Sequence, residues 1–329
     1  MSAFRTEFQI PTADFDIRHH HGILALGSCF TEHIGDKLRA LKFNINLNPF
    51  GILYQPMAIA TGLQRLFNPV PYSERELQYH NGLWHSFEHH GRFNSMDVSE
   101  TLRMINSELA LGAVALRKVD FLLLTFGTST VYTLKQTGRL VANCHKFPGH
   151  SFEKRRLSIQ EIVDVFIPLF REFNRERPAG RIILTISPVR HLREGFVENQ
   201  RSKAVLVLAA EALCREFDFV SYFPAYELLL DDLRDYRFYA DDMVHPALAA
   251  INYIWSKWTT TYFSEETRQL IRAIEKIKTG LSHKPFQPDS PAYSEFLDKL
   301  KREIENIESR WPLLDLSAER AAINALEYG

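Results

Sequence analysis

Cysteine is scarce: 329 residues hold three, and Cys29, Cys144 and Cys214 form no Cys-x-x-Cys pair. An odd, dispersed set of thiols argues against a disulfide-framed secreted fold and fits a reducing compartment. A charge excess is missing too, because 39 Lys and Arg stand against 40 Asp and Glu, a net of −1. Nucleic-acid and membrane-surface binders normally carry a basic excess, so neither partner is expected. Long apolar runs are absent as well. Phe121 to Leu124 and Ala204 to Ala210 are core-sized beside the roughly 18 residues a membrane span requires. The first sixteen residues carry Glu7, Asp14 and Asp16 and no apolar stretch. No secretory signal is therefore expected, and the cytoplasm is the expected compartment.

What is present is a globular composition, 45% hydrophobic and 24% charged, sufficient for a large core. Short apolar runs at Ile23 to Leu26, Phe43 to Leu47, Phe121 to Phe126, Arg181 to Ile186 and Phe217 to Tyr222 alternate with helical patterns. Thr31 to Leu41 and Lys203 to Phe217 show helical spacing, and Ser158-Ile159-Gln160-Glu161 is a capping box that opens another helix. Largely apolar strands alternating with helices predict a doubly wound, flavodoxin-like parallel sheet of about five strands, covered on both faces. The alternation lapses between Asn68 and Lys118, a stretch rich in His, Asn, Tyr and Ser with a helix near Ser99 to Leu116. A connection that long reads as a lid or a substrate rim. Pro246 suits the first position of a last core helix running to Tyr262. Beyond Ser264 the chain turns charged and helical around Pro285, Pro288 and Pro291, and Ser294 to Arg310 carries Glu295 and Lys299 at helical spacing. The expected division is a catalytic domain at 1–263 and a helical extension at 264–329. The extension is the expected surface for a homo-oligomer.

Four short segments carry candidate chemistry, each at the carboxyl end of a strand. Leu26-Gly27-Ser28-Cys29-Phe30 leaves the first strand and enters a helix, which places Ser28 at the sheet's carboxyl edge among helix-start N–H groups. Ser28 is either a helix cap or an exposed nucleophile. Leu26 and Phe30 stand where the G-x-S-x-G elbow has glycines, so that motif is not present. Tyr239-Ala240-Asp241-Asp242-Met243-Val244-His245-Pro246 follows the last strand. There Asp242 can accept the His245 Nδ1–H and leave Nε2 as a base, or simply cap the next helix. Thr125-Phe126-Gly127-Thr128-Ser129-Thr130 offers a glycine for close approach and a hydroxyl for an oxyanion. Asn48-Pro49-Phe50-Gly51 offers the Gly51 N–H. In a doubly wound sheet these loops share one edge, so they form a constellation.

These residues resemble the SGNH/GDSL hydrolase superfamily and, more closely, its GSCFA-domain branch. Gly27-Ser28-Cys29-Phe30 matches the serine block, Asp242 and His245 the Asp-x-x-His block, and Gly51 the glycine block. The resemblance takes in Asn143-Cys144-His145-Lys146, Ser187-Pro188-Val189-Arg190-His191, Glu198-Asn199-Gln200-Arg201-Ser202-Lys203 and Tyr222-Phe223-Pro224-Ala225-Tyr226-Glu227. It spans roughly residues 21 to 262. One block departs: the superfamily's Gly-x-Asn-Asp is here Gly127-Thr128-Ser129-Thr130. A lost oxyanion donor costs about 3 kcal/mol of transition-state stabilisation.

The resemblance implies acyl-ester chemistry without a cofactor. Ser28 would be the nucleophile, His245 its base and Asp242 the group that orients the base. Ser28 and Gly51 N–H groups with the Ser129 hydroxyl would hold the oxyanion. The expected substrate is a small acyl ester of a carbohydrate-like alcohol. His85, beside Trp84, together with Asn143, His145, Arg190, His191, Asn199 and Lys203, are the expected substrate contacts. His85/His89 and His145/His150 lack carboxylate or Cys partners at a metal spacing, so no metal is expected. Cys29, one residue on from Ser28, is expected to face the core. A glycan-binding module without catalysis and a scaffold acting through the C-terminal helices are the rival readings.

Overall fold

The computed structural model describes residues 6–283 and 285–328. The outer ends of the 1–263 and 264–329 segments and residue 284 lie outside the described residues. Five strands, β1 (Gly22–Gly27), β2 (Asn44–Leu47), β5 (Phe121–Phe126), β9 (Arg181–Ile186) and β10 (Val220–Phe223), form one sheet in the order β10-β9-β5-β1-β2. β1, β5, β9 and β10 run parallel, with Leu123 aligned to Ala25 on one side and Ile183 on the other. This is the doubly wound α/β architecture expected from the alternation of apolar runs and helices.

The apolar hexamers explain the burial. Leu24, Leu26, Leu122, Leu124, Phe126, Ile182, Leu184 and Ile186 point to one face and share a core with Ile59, Leu63, Ile105, Leu109, Ile162, Phe166, Leu206 and Leu213. The partners come from α2 (Pro56–Phe67), α3 (Val98–Lys118), α4 (Ile159–Glu176) and α5 (Phe196–Glu216), which follow α1 (Cys29–Ala40). Ile23, Ala25, Phe121, Leu123 and Ile183, on the other face, are equally buried. Strands wetted on neither face have no use for polar alternation, and their sequences show none. At the start of α4 the capping box forms as expected, with Glu161 N donating to Ser158 Oγ and Ser158 N to Glu161 Oε2.

Other elements depart from the sequence pattern. The stretch from 68 to 97 contains a hairpin, β3 (Leu77–His80) and β4 (Leu83–Ser86), turned by Asn81-Gly82 with φ of 50° and 78°. That pair of positive φ values is what a tight hairpin turn demands. Tyr72, Leu77 and Phe93 anchor the stretch in the main core. A second antiparallel sheet, β7-β6-β8, joins β6 (Thr130–Leu134), β7 (Arg139–Val141) and β8 (Phe152–Arg156). Its sequence signal is faint because β8 buries only Phe152 and exposes four polar residues. α5 starts at Phe196, well before Lys203, since Gly195 takes φ 86° and its carbonyl accepts the Asn199 N–H. Pro246 is not the first helical residue. It bridges Tyr239 while Ala240 N donates to His245 O and Ala247 N to Phe238 O, so α6 (Leu248–Tyr262) begins two residues later.

The chain divides into two compact units. One comprises Met1–Ile10, Gly22–Asp36 and Ile45–Lys257 and contains the central sheet. The other comprises Pro11–His21, Lys37–Asn44 and Trp258–Gly329 and contains α7 (Glu265–Ser282), α8 (Pro291–Arg310) and α9 (Ser317–Tyr328). Leu270, Ile274 and Ile277 on α7, Leu300, Ile304 and Ile307 on α8, and Ile323 on α9 are buried at helical spacing. Ser264 and Ser290 cap α7 and α8. Among the described residues no helix is long and apolar enough to cross a membrane.

Candidate active site

Gly27 lies in register with Thr125, so Ser28 and Gly127 leave the sheet near one another where the strand order reverses. Crevices at such switch points are the usual ligand sites of doubly wound sheets. Ser28 is fully buried. Its Oγ accepts the Phe30 N–H at 3.3 Å, and its carbonyl accepts the Thr31 N–H at 2.9 Å as α1 begins. Cys29 is half-buried, and burial pushes its thiol upward, away from the thiolate.

Gly127 is enclosed on several sides. Its N–H and that of Thr128 donate to the Tyr54 carbonyl at 2.8 and 2.9 Å. A methyl group on Gly127 would fall 2.9 Å from that oxygen, 3.1 Å from His191 Nε2 and 3.5 Å from Ser28 Cβ. Only glycine admits such crowding. Behind it, the Lys203 ammonium is wholly interior and donates to the Gly127 carbonyl at 2.7 Å and the Ser187 carbonyl at 2.6 Å. Lys203, expected among the substrate contacts, is thus occupied in joining the ends of β5 and β9, and burial drives it down to about 7.

The loop after β10 carries the acid–base pair. Asp242 Oδ1 accepts the N–H groups of Val244 and His245, both at 2.9 Å, while Oδ2 accepts His245 Nδ1–H at 2.6 Å. Those backbone and imidazole bonds hold the Asp242 carboxyl down to about 2. They also leave Nε2 as the free nitrogen of His245. Arg190 ties this loop to the segment after β9: its guanidinium lies 3.8 Å from the Tyr239 ring centroid, and its main-chain N–H donates to Val244 O at 3.1 Å. Next to it, the His191 N–H donates to Asn199 Oδ1 at 2.9 Å and the ring meets Tyr54 edge-on at 5.6 Å. Burial, and then the positive charges of Lys203 and His245, push the His191 imidazole down to about 3. His191 therefore neighbours Ser28 through Gly127 and also senses His245.

The remaining expected residues have other commitments. Among the described residues no hydrogen bond joins His245 to Ser28. The Gly51 N–H (φ 72°) donates to Asn48 O at 2.7 Å, and the buried Ser129 hydroxyl donates to Ser202 Oγ at 3.1 Å. His85 and His145 are buried beside the β3-β4 hairpin, bonded to the carbonyls of His80 and Ser86, and Asn143 Oδ1 accepts the His145 N–H. None of these three lines the cavity of ≈ 170 Å³ bordered by Tyr54, Gln55, Thr128, Thr130, His191 and Asn199. Tyr54 and Gln55 carry no motif, and nothing short of the fold marks them. Among the described residues no group of three His, Cys, Asp or Glu side chains could hold a metal ion.

Comparison with known proteins adds a family. A model described as GSCFA family matches residues 22–258, and one described as GSCFA domain protein, C-terminal domain, matches residues 274–326. No curated protein matches the chain. Among solved structures it is similar to a carbohydrate esterase family 3 from Talaromyces cellulolyticus, at 9% identity over 77% of this chain and 98% of that one, with a TM-score of 0.33. It is also similar to a family two carbohydrate esterase from Clostridium thermocellum, at 11% identity, 74% and 63% coverage and a TM-score of 0.36. For an acetyl xylan esterase from Butyrivibrio proteoclasticus the values are 13%, 63% and 55%, and 0.29. The alignment thus covers less than two thirds of the last two chains.

Proposed function

The chain belongs to the GSCFA family, and from that premise we propose that it is a serine-dependent ester hydrolase or O-acyltransferase of the SGNH type. The single observation that carries this reading is the Asp242–His245 bond of 2.6 Å on the carboxyl edge where Ser28 follows β1. A carboxylate on Nδ1 fixes the tautomer in which Nε2 is a base and stabilises the imidazolium that forms.

In the mechanism, Ser28 Oγ attacks the ester carbonyl carbon and its proton passes to His245 Nε2. Collapse of the tetrahedral intermediate breaks the bond to the alcohol, which leaves with that proton. Water, or a second hydroxyl in a transferase, then attacks the acyl-enzyme with His245 again taking the proton. Collapse of that intermediate breaks the bond to Ser28 Oγ, which recovers the proton from His245 as the acid or new ester leaves. The Ser28–His245 hydrogen bond belongs to the substrate complex, where such contacts tighten. The hydroxyl and amide groups of Thr128, Thr130, Gln55 and Asn199 around the cavity, with the charged Arg193, Glu194 and Glu198 also lining it, support a small polar substrate, an acyl ester of a carbohydrate-like alcohol. The cytoplasm is part of the same proposal, supported by three free thiols.

A second reading, a glycan-binding module without catalysis, is favoured by the complete burial of Ser28. One experiment separates the two. Treatment with a fluorophosphonate followed by peptide mass spectrometry is expected to place the adduct on Ser28, and Ser28→Ala is expected to lose on the order of 10⁴-fold in nitrophenyl acetate turnover. Unchanged turnover in Ser28→Ala sinks the enzyme. No adduct, with sugar binding intact, establishes the module.

A further inference from the structure

Buried polar atoms in folded proteins almost always have partners, and one that does not calls for a reason. His191 Nε2 is buried and has none. The ring is nevertheless firmly placed, by the Asn199 bond to its main chain and by the edge of Tyr54. That nitrogen lies near the nucleophile: a methyl group added to Gly127 would lie 3.1 Å from it and 3.5 Å from Ser28 Cβ. Two of the three expected donors, all but the Ser28 N–H, are already engaged. Gly51 N–H serves Asn48 and the Ser129 hydroxyl serves Ser202, while the nearby N–H groups of Gly127 and Thr128 serve Tyr54.

Resting on the acyl-enzyme reading above, we infer that His191 is a further catalytic residue, whose Nε2–H holds the oxyanion that develops during attack by Ser28. It takes the place of the side-chain donor that the Gly127-Thr128-Ser129-Thr130 block lacks. No proton is transferred in this role. The imidazole donates a hydrogen bond from its neutral Nε2–H tautomer and keeps its proton, while His245 alone exchanges one with substrate. The surroundings suit a neutral donor, since burial together with Lys203 and His245 disfavours the imidazolium. A preorganised donor of this kind does its work in the transition state, because the negative charge develops only on the way to the tetrahedral intermediate. The glycine at 127 has a matching purpose: without a side chain it lets the imidazole and Ser28 approach across it.

The test compares His191→Phe, which fills the space without a donor, with His191→Gln, which restores one. The expected result is a fall in kcat on nitrophenyl acetate of about 10²- to 10³-fold in the Phe variant, with KM changed little. The Gln variant is expected to recover at least a tenfold part of that loss. Fluorophosphonate labelling of Ser28 should slow in parallel, because the phosphoryl oxygen occupies the same position, and the pH profile set by His245 should keep its midpoint. Thermal melts accompany each variant. If the Phe variant melts below assay temperature, His191→Met replaces it against His191→Gln. Wild-type kcat in the donorless variant, or equal kcat in the two, overturns the inference. Activity surviving in Ser28→Ala would instead overturn the esterase reading, so the two failures are distinct.

Discussion

Lys203 Nζ reaches across 76 positions of sequence to donate to the Gly127 carbonyl at 2.7 Å. The same ammonium donates to Ser187 O, so one interior side chain fixes the exits of β5 and β9 from the sheet. Those exits lead to Gly127 on one strand and toward Arg190 and His191 on the other, and Ser28 lies beside the first of them.

Lys203→Met conserves the length of the side chain and removes the donor. Two buried carbonyls lose their partner, and a net loss of about 2 kcal/mol is expected in urea unfolding at pH 7. The pH dependence identifies the cause. The folded Lys203 titrates near 7 and the unfolded lysine near its ordinary 10.5, so between those values the unfolded chain holds more protons. Stability therefore rises with pH across that window. Urea melts at pH 7 and pH 9 should show the wild type gaining relative to Lys203→Met. An equal response in the two chains would show that this lysine does not titrate in the window.

Asp242→Asn tests the pair itself. The amide cannot balance an imidazolium, and its own N–H₂ competes for His245 Nδ1 in the wrong tautomer. A loss of kcat on the order of 10²- to 10⁴-fold is expected with nitrophenyl acetate, with little change in melting temperature because Asp242 lies on the surface. Turnover within twofold of wild type would reduce Asp242 to the role of closing its turn.

Acid should destabilise the fold before the carboxylates titrate. Burial, as the largest cause, pushes His89 and His191 down to about 3 and His19 and His145 down to about 4. Below the ordinary histidine value of 6.5, the unfolded chain takes up protons that these folded residues refuse. These histidines leave stability unaffected above that pH and lower it as pH falls through it toward 4, by about 1.4 kcal/mol per pH unit for each. Thermal melts from pH 7 to pH 4 should show the decline, and His89→Phe should make it shallower. A melting temperature constant over that range would mean the imidazoles titrate normally.

Much of the framework is legible locally. β1, β5 and β9 announce themselves because strands covered on both faces are apolar throughout, and the Ser158 capping box is a four-residue device. Asp242 and His245 are legible for the same reason: three positions apart, they can meet within one turn whatever the rest of the chain does. The Asn81-Gly82 turn is equally local, and its two residues mark a hairpin inside a stretch whose composition suggests a lid or rim.

Other features depend on distance along the chain. Glu198 and Asn199 precede the helical pattern that starts at Lys203, yet they sit in the first turn of α5, and Lys203 is buried in the interior. Whether Ser129 has a hydrogen to offer depends on Ser202, 73 positions away. The strands, the helix caps and the local acid–base pair are readable from the chain alone, because each rests on side-chain periodicity or on contacts within a turn. Packing, and nothing earlier, settles which buried donors are engaged and leaves His191 Nε2, near Ser28, among those that are not. Hydrogen-bond saturation depends on partners that meet only after the chain has folded.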